Sequence, residues 1–327
     1  MLTRRSKKII NTGIKVAILL SAATFIYFKL NDNTNLKNFE RLLQNLSAQK
    51  VYSVLLLIFL MMLLNWFLES LKWKFLIKPV QKISTWSAIE SVFCGLTLAV
   101  FTPNRIGEYG GRIFFLPPRK RILGIISMAI GAIGQMVVTN LLGSIAILWF
   151  IGQYVEMSFW LYYGVFILVI VYCLFFLLFY FNISLLLILL NKIKSLKRFQ
   201  KFFKILGRYH NRELCIVFGY SILRFVVFTS QYCLIIGLLI PSIPILPMVM
   251  MIFILFFIQS ALPSLDLLDV GVRTMTATYI FSFITSKENE IAIMAATASI
   301  WLINLIIPAI LGSVFVFKLN FFGTNRN

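Results

Sequence analysis

Phe-Thr-Pro-Asn-Arg-Ile-Gly-Glu-Tyr-Gly-Gly-Arg, Phe101 to Arg112, breaks into apolar sequence; 160 residues later Ala-Leu-Pro-Ser-Leu-Asp-Leu-Leu-Asp-Val-Gly-Val-Arg, Ala261 to Arg273, does so again. Each break sets Pro, Gly and ionised side chains where the flanking residues belong in a bilayer. Non-helical backbone and charge persist at that depth only when protein shields them or when they line a wet cavity. A pair of such interruptions in corresponding halves is the sequence pointer to a transporter-like binding site.

The flanks confirm the solvent. Hydrophobic residues make up 60% of the chain, mean hydropathy is +0.91, and several apolar runs reach the length of a spanning helix. The expected spans are Ile9–Phe28, Val51–Ile77, Leu123–Ile151, Phe159–Leu190, Leu214–Ile240 and Ile291–Phe317, with the breaks inside two less regular zones, Ser84–Pro118 and Leu246–Ser286. The amino-terminal apolar stretch has no small-residue cleavage site, so it reads as an uncleaved first helix and not a signal peptide. The net charge of +20 sits mostly in short loops between spans. That is the positive-inside pattern of a protein meeting anionic headgroups, and it argues against nucleic acid as a partner.

Counting basic residues sets the sidedness. Met1–Lys8, the Lys72, Lys74, Lys78, Lys82 group and Arg119–Arg121 fall inside; Gly152–Met157 and Pro241–Pro247 fall outside. Both termini are therefore expected in the cytoplasm. The densest basic segment, 191–212, interleaves Lys and Arg with Phe199, Phe202, Phe203, Ile205 and Leu206. It is expected to be cytoplasmic and to lie as an amphipathic helix on the membrane surface.

The first zone must return to the side it left. Its return arm, Pro103 to Pro118, is 16 residues long, about 24 Å if helical and short of the ~30 Å hydrocarbon core. A re-entrant pair fits better than two full spans. The second zone behaves likewise from the opposite face, so 51–151 and 214–317 form an inverted repeat. The expected fold is one transmembrane domain over 1–327: an all-α, polytopic helical bundle with two re-entrant or broken-helix hairpins.

At the first break, Pro103 removes a backbone donor and ends the preceding arm, while Gly107, Gly110 and Gly111 permit a tight reversal. Arg105 and Arg112 share a helical face with Glu108 beside them. Glu108 offsets one positive charge and leaves the other guanidinium for an external anion, phosphate being suited to its planar fork of donors. The second break offers Asp266, Asp269 and Arg273. Asp269 and Arg273 stand at i, i+4 and can neutralise each other, leaving Asp266 as the unpaired acid. The rival reading is an internal salt-bridge network that only ties the tips together.

Further polar positions within apolar sequence are Asn65, Glu69, Gln135, Asn140, Arg224, Gln231, Gln259 and Asn304. Any one of them suits interhelical glue. Glu69 is expected to snorkel toward Lys72 and Lys74; Arg224, well inside its span, is the more notable. Cys94, Cys173, Cys215 and Cys233 have no CxxC spacing, and His210 is the sole histidine, in a basic loop. No disulfide frame, metal site, cofactor or catalytic residue is expected.

With Asn65-Trp66, Glu69, Lys72-Trp73, Gly95-Leu96-Thr97, Thr102-Pro103-Asn104-Arg105-Ile106-Gly107-Glu108 and Gly111-Arg112, the first half resembles the flippase-like transmembrane domain of bacterial lysylphosphatidylglycerol synthases and their stand-alone relatives. Leu262-Pro263 and Val270-Gly271-Val272-Arg273 are similar to that family's second Pro/Gly motif. The resemblance covers nearly the whole chain and is strongest over about Asn65–Arg112. It carries the family's pattern onto Pro103, Arg105, Gly107, Glu108, Arg112, Pro263, Gly271 and Arg273. Where relatives often have Gly-rich sequence and a later Glu, this chain has Asp266, Asp269 and Thr274, and it is expected to be a stand-alone member without the aminoacyl-transferase domain.

The resemblance implies movement of aminoacylated or otherwise modified phospholipids between leaflets of the bacterial inner membrane. The leading expectation is thus a lipid flippase for an anionic or aminoacylated phospholipid, or a polyprenyl-type lipid. The alternatives are a membrane-embedded transferase with Glu108 or Asp266 as general base, and an anchor for a separate synthetase. Membrane phospholipids are the expected partner; a homo-oligomer and a cytoplasmic lipid-modifying enzyme stay open.

Overall fold

The computed structural model describes residues 12–17, 40–44, 46–100, 102, 105–182, 206–261 and 269–319, with single residues 10, 20 and 24, and leaves out the side chains of Arg208 and Asp269. Pro103, Pro263, Asp266, most of the Ile9–Phe28 span and the 191–205 part of the basic segment lie outside the described residues.

Among the described residues the chain is helical, without strands. Helix α1 is Ala48–Ile77. A hairpin follows, α2 Thr85–Ala99 and α3 Ile106–Ile113. Then come α4 Arg121–Tyr154 and α5 Phe159–Phe181. The later part repeats the order of long, short, short and long: α6 Asn211–Leu239, α7 Ile245–Ala261, α8 Asp269–Phe281, and α9 Glu290–Trp301 continuing through a π-helical turn, Leu302–Ile306, into α10 Ile307–Ser313. Among the described residues five helical stretches are long and apolar enough to cross a membrane. The protein is an all-α, multi-pass membrane protein.

Local sequence explains these boundaries. Helix α1 has no Gly or Pro over 30 residues. Ser84 caps α2 by accepting the Ser87 N–H at 3.1 Å. His210, the one histidine, is the N-cap of α6, its backbone N–H donating to Glu213 Oε2 at 3.0 Å in a capping box. All four cysteines are free.

At 15 and eight residues, α2 and α3 are each shorter than the ~20 residues a span needs. Glycine lets their backbones touch. A Cβ on Gly111 would fall on the backbone of Gly95, one on Gly107 on the Leu98 carbonyl, and one on Gly95 at 2.7 Å from the Glu108 carbonyl oxygen. Gly110 meets only ordinary side-chain contact, and Gly271 meets no atom within 4 Å. The reversal itself uses Arg105, the non-glycine residue with φ of 55°, a left-handed conformation costing about 1–2 kcal/mol. Thr102 ties the turn together: its hydroxyl donates to the Leu98 carbonyl at 2.9 Å and accepts the Gly107 N–H at 2.8 Å.

The last helix closes on this hairpin. Thr97 Oγ1 donates to the Ala309 carbonyl at 2.7 Å, and Gly312 admits the Phe93 carbonyl where a Cβ would stand. Pro308 has no N–H to offer the Asn304 carbonyl four residues back. The Trp66 indole N–H donates to that carbonyl at 3.2 Å instead, joining α1 to the π turn. Trp66→Phe keeps an aromatic ring but removes this donor together with the pyrrole half of the buried indole. It is expected to cost about 1 kcal/mol, read as a lowered melting midpoint in detergent.

Candidate functional site

The buried residues of α1 include Ile58, Met62, Asn65, Glu69, Trp73 and Leu76, spaced by three or four and so on one face. Asn65 and Glu69 therefore look inward. Glu69 does reach Lys72, as expected, but the pair is buried and not at the surface: Glu69 is 5% exposed, Lys72 3% and Arg112 4%. The Glu69 carboxylate is the centre of an ion cluster. Oε1 accepts from Arg112 Nη1 at 2.6 Å; Oε2 meets Lys72 Nζ at 2.7 Å and also Arg224 Nη1.

A second carboxylate extends the cluster. Glu108 Oε1 accepts from Arg112 Nη2, and Oε2 lies 3.3 Å from Arg105 Nη2. The first break thus brings Arg105, Glu108 and Arg112 together as their spacing predicts, but Glu108 touches both arginines and does not leave Arg112 for an external anion. Arg224 Nε donates to Asn65 Oδ1 at 2.9 Å, and its guanidinium lies over the Trp66 ring, 5.3 Å from the centroid.

From the second break, Arg273 Nη1 donates to Gln259 Oε1 at 2.8 Å. Asp266 and the Asp269 side chain, with the expected Asp269–Arg273 pair, lie outside the described residues.

Two cavities open on these groups. One of about 510 Å³ is lined by Glu69, Lys72, Glu108 and Arg112 among others; the second, of about 370 Å³, by Phe225, Phe228, Tyr232, Phe256, Trp301 and Arg273 among others. Trp66, Arg105, Gln135, Thr139, Arg224 and Ser260 line both. The two volumes adjoin at these residues; the larger holds the ion cluster, and the smaller sets aromatic rings beside Arg105, Arg224, Gln259 and Arg273. Arg224 lies near the middle of the 29-residue α6 and Gln135 near the middle of the 34-residue α4, so the junction sits at mid-height of the bundle.

The family model described as lysylphosphatidylglycerol synthase TM region matches residues 14–315. The chain belongs to this family. Comparison with curated proteins and with solved structures gives no match. As a lysylphosphatidylglycerol synthase TM-region protein, it is a membrane protein tied to lipid synthesis or flipping. In this family member, the motif residues of the first break divide into two kinds. Gly107 and Gly111 close the hairpin, whereas Arg105, Glu108 and Arg112 carry charge into the cavity.

Sequence reasoning names Lys72 as a marker of sidedness, as a neighbour of Glu69 and within the family-like motif, but not as a cavity residue, and does not single out Thr139, Ser260 or Trp301. The apolar pattern of α1 does not mark this face, because the helix is apolar on every side; the usable signal was Asn65 and Glu69 themselves, two polar residues four apart on one side of a spanning helix.

Proposed function

We propose that the two adjoining cavities hold one phospholipid in passage between leaflets, headgroup at the ion cluster and acyl chains among Phe225, Phe228, Tyr232 and Phe256. The observation that carries this reading is the shared lining of Trp66, Arg105, Gln135, Thr139, Arg224 and Ser260. Two adjoining volumes, one holding the ion cluster and the other adding a set of aromatic rings, match an amphiphile better than a small ion. The mid-height position and the repeated order of long, short, short and long helices support an inverted repeat, 51–151 against 214–317, working about a central site.

In this reading Arg105 is the first contact for phosphate. Its side chain is 34% exposed and lines both cavities, whereas Arg112 is bound on both sides by carboxylates. Lys72, Glu69 and Arg112 form the fixed electrostatic wall. Glu108 gains no support as the general base of the transferase alternative, because a general base must be free to take a proton and both Glu108 oxygens face guanidinium groups; Asp266, the other base named for it, lies outside the described residues.

The test is exchange of fluorescent phospholipids between leaflets in proteoliposomes. Ser260→Trp places an indole at the junction while touching none of the ion pairs. Wild type should exceed empty liposomes, and the variant should fall about tenfold, equivalent to about 1.4 kcal/mol of barrier. Exchange at the wild-type rate through a folded Ser260→Trp protein would remove the junction from the path.

A further inference from the structure

The polar lining carries an imbalance of charge. Across the two cavities Lys72, Arg105, Arg112, Arg224 and Arg273 stand against the two carboxylates Glu69 and Glu108 among the described lining residues, and even without Arg273 the cations outnumber the acids. Asp266 and Asp269 are the remaining acids of the second break, and crediting both to the lining, with Arg273 counted, would still leave cations in excess. Buried charge without a counter-charge costs several kcal/mol per ion. A cavity of this kind is therefore complete only when something negative occupies it.

The unsatisfied hydrogen-bonding groups lean the same way. Arg105 Nε, Gln259 Nε2 and Trp301 Nε1 are buried donors without a partner among the described residues, and all three side chains line the smaller cavity. Trp301 is only 6% exposed, so water outside the protein does not serve its N–H. The Gln259 amide is oriented by its neighbour. Arg273 can only donate, so it holds the amide oxygen and leaves Nε2 as a donor for something else. Two acceptors, Gln135 Oε1 and Asn304 Oδ1, are also unmet, which suits a hydroxyl more than a second cation beside three arginines.

We propose that the group recognised in this cavity is a phosphate whose headgroup carries net negative charge, so that the site selects anionic lipids over zwitterionic ones and rejects aminoacylated, cationic ones. This inference rests on the reading of the cavity as a lipid site and names the chemistry of its occupant. Phosphate at the junction beside the ion cluster accepts from Arg105 and Arg224, which line both cavities, with the Trp301 and Gln259 N–H groups on the adjoining side, and it offsets the charge excess. A headgroup bearing free amines adds positive charge to a site that already has too much, and like charges brought together there cost several kcal/mol.

The experiment measures thermal stabilisation of the purified protein in neutral detergent by short-chain lipids of matched acyl length. The probes are dihexanoyl phosphatidate, dihexanoyl phosphatidylglycerol, dihexanoyl phosphatidylcholine and the lysyl ester of the phosphatidylglycerol, with inorganic phosphate as a further arm. The two anionic lipids should act at a concentration about tenfold lower than phosphatidylcholine, with the lysyl ester weakest. Arg105→Gln, with the melting curve of a folded protein, should narrow that preference severalfold. Equal or stronger stabilisation by phosphatidylcholine or the lysyl ester overturns the proposal, even if leaflet exchange is measured. Stabilisation by inorganic phosphate as strong as by phosphatidate upholds the anion chemistry and tells against the lipid reading instead. No stabilisation by any probe overturns both.

Discussion

Glu69→Ala is expected to abolish accumulation of folded protein. The substitution leaves Lys72, Arg112 and Arg224 clustered and buried around the space of a missing carboxylate. Removing one partner of a buried ion pair costs about 3–5 kcal/mol, a large part of the ~5–15 kcal/mol that holds a typical domain folded. Glu69→Gln keeps the shape and one acceptor but not the charge, so it should fail nearly as badly. Glu108→Gln should be milder, because Glu108 is 21% exposed and Arg112 keeps Glu69. The measurement is the monodisperse peak of a fluorescent fusion on size-exclusion chromatography in detergent. A Glu69→Ala protein with wild-type yield and melting midpoint would show that the cluster does not hold α1, α3 and α6 together.

Gly111→Ala is expected to be the second severe change. The added methyl falls on the Gly95 Cα and N atoms, and backbone cannot rotate aside as a side chain does. Overpacking costs about 1–3 kcal/mol where side chains can adjust; here α2 and α3 must separate, so the upper end applies. Arg112 is the next residue, and its contacts to Glu69 and Glu108 shift with the hairpin. Gly271→Ala is the control from the other break. Nothing lies within 4 Å of its added methyl, and Ala in a helix is favoured over Gly by about 0.5–1 kcal/mol, so that variant should melt at or above wild type. The opposite order of melting midpoints would mean that α2 and α3 are not in backbone contact.

The contrast between these glycines marks the limit of what the two motifs convey. Both breaks carry Gly beside Arg and Pro, and the chain alone gives no reason to rank one above the other. The ranking comes from what lies across the gap. Gly95, the residue Gly111 meets, is sixteen positions away on the other arm, while Gly271 faces outward on α8.

The sequence by itself determined the membrane solvent, the long helices, the two interrupted zones and the grouping of Arg105, Glu108 and Arg112. These follow from local rules: hydropathy summed along a segment, and side chains three or four apart sharing a helical face. Only the tertiary structure decided that Glu69, and not Glu108, is the centre of the cluster. Its partners Arg112 and Arg224 lie 43 and 155 residues away, and the Trp66–Asn304 contact spans 238. In water, an apolar stripe marks the face of a helix that turns inward. In a bilayer the outside is as apolar as the inside, and the stripe loses its meaning. Helix α5 has the highest hydropathy of the five spans, yet only 11% of its apolar window is buried. Which faces meet, and therefore which charges share one cavity, is fixed by close backbone approach at Gly95, Gly111 and Gly312 and by buried polar pairs, and those partners have no signature along the chain.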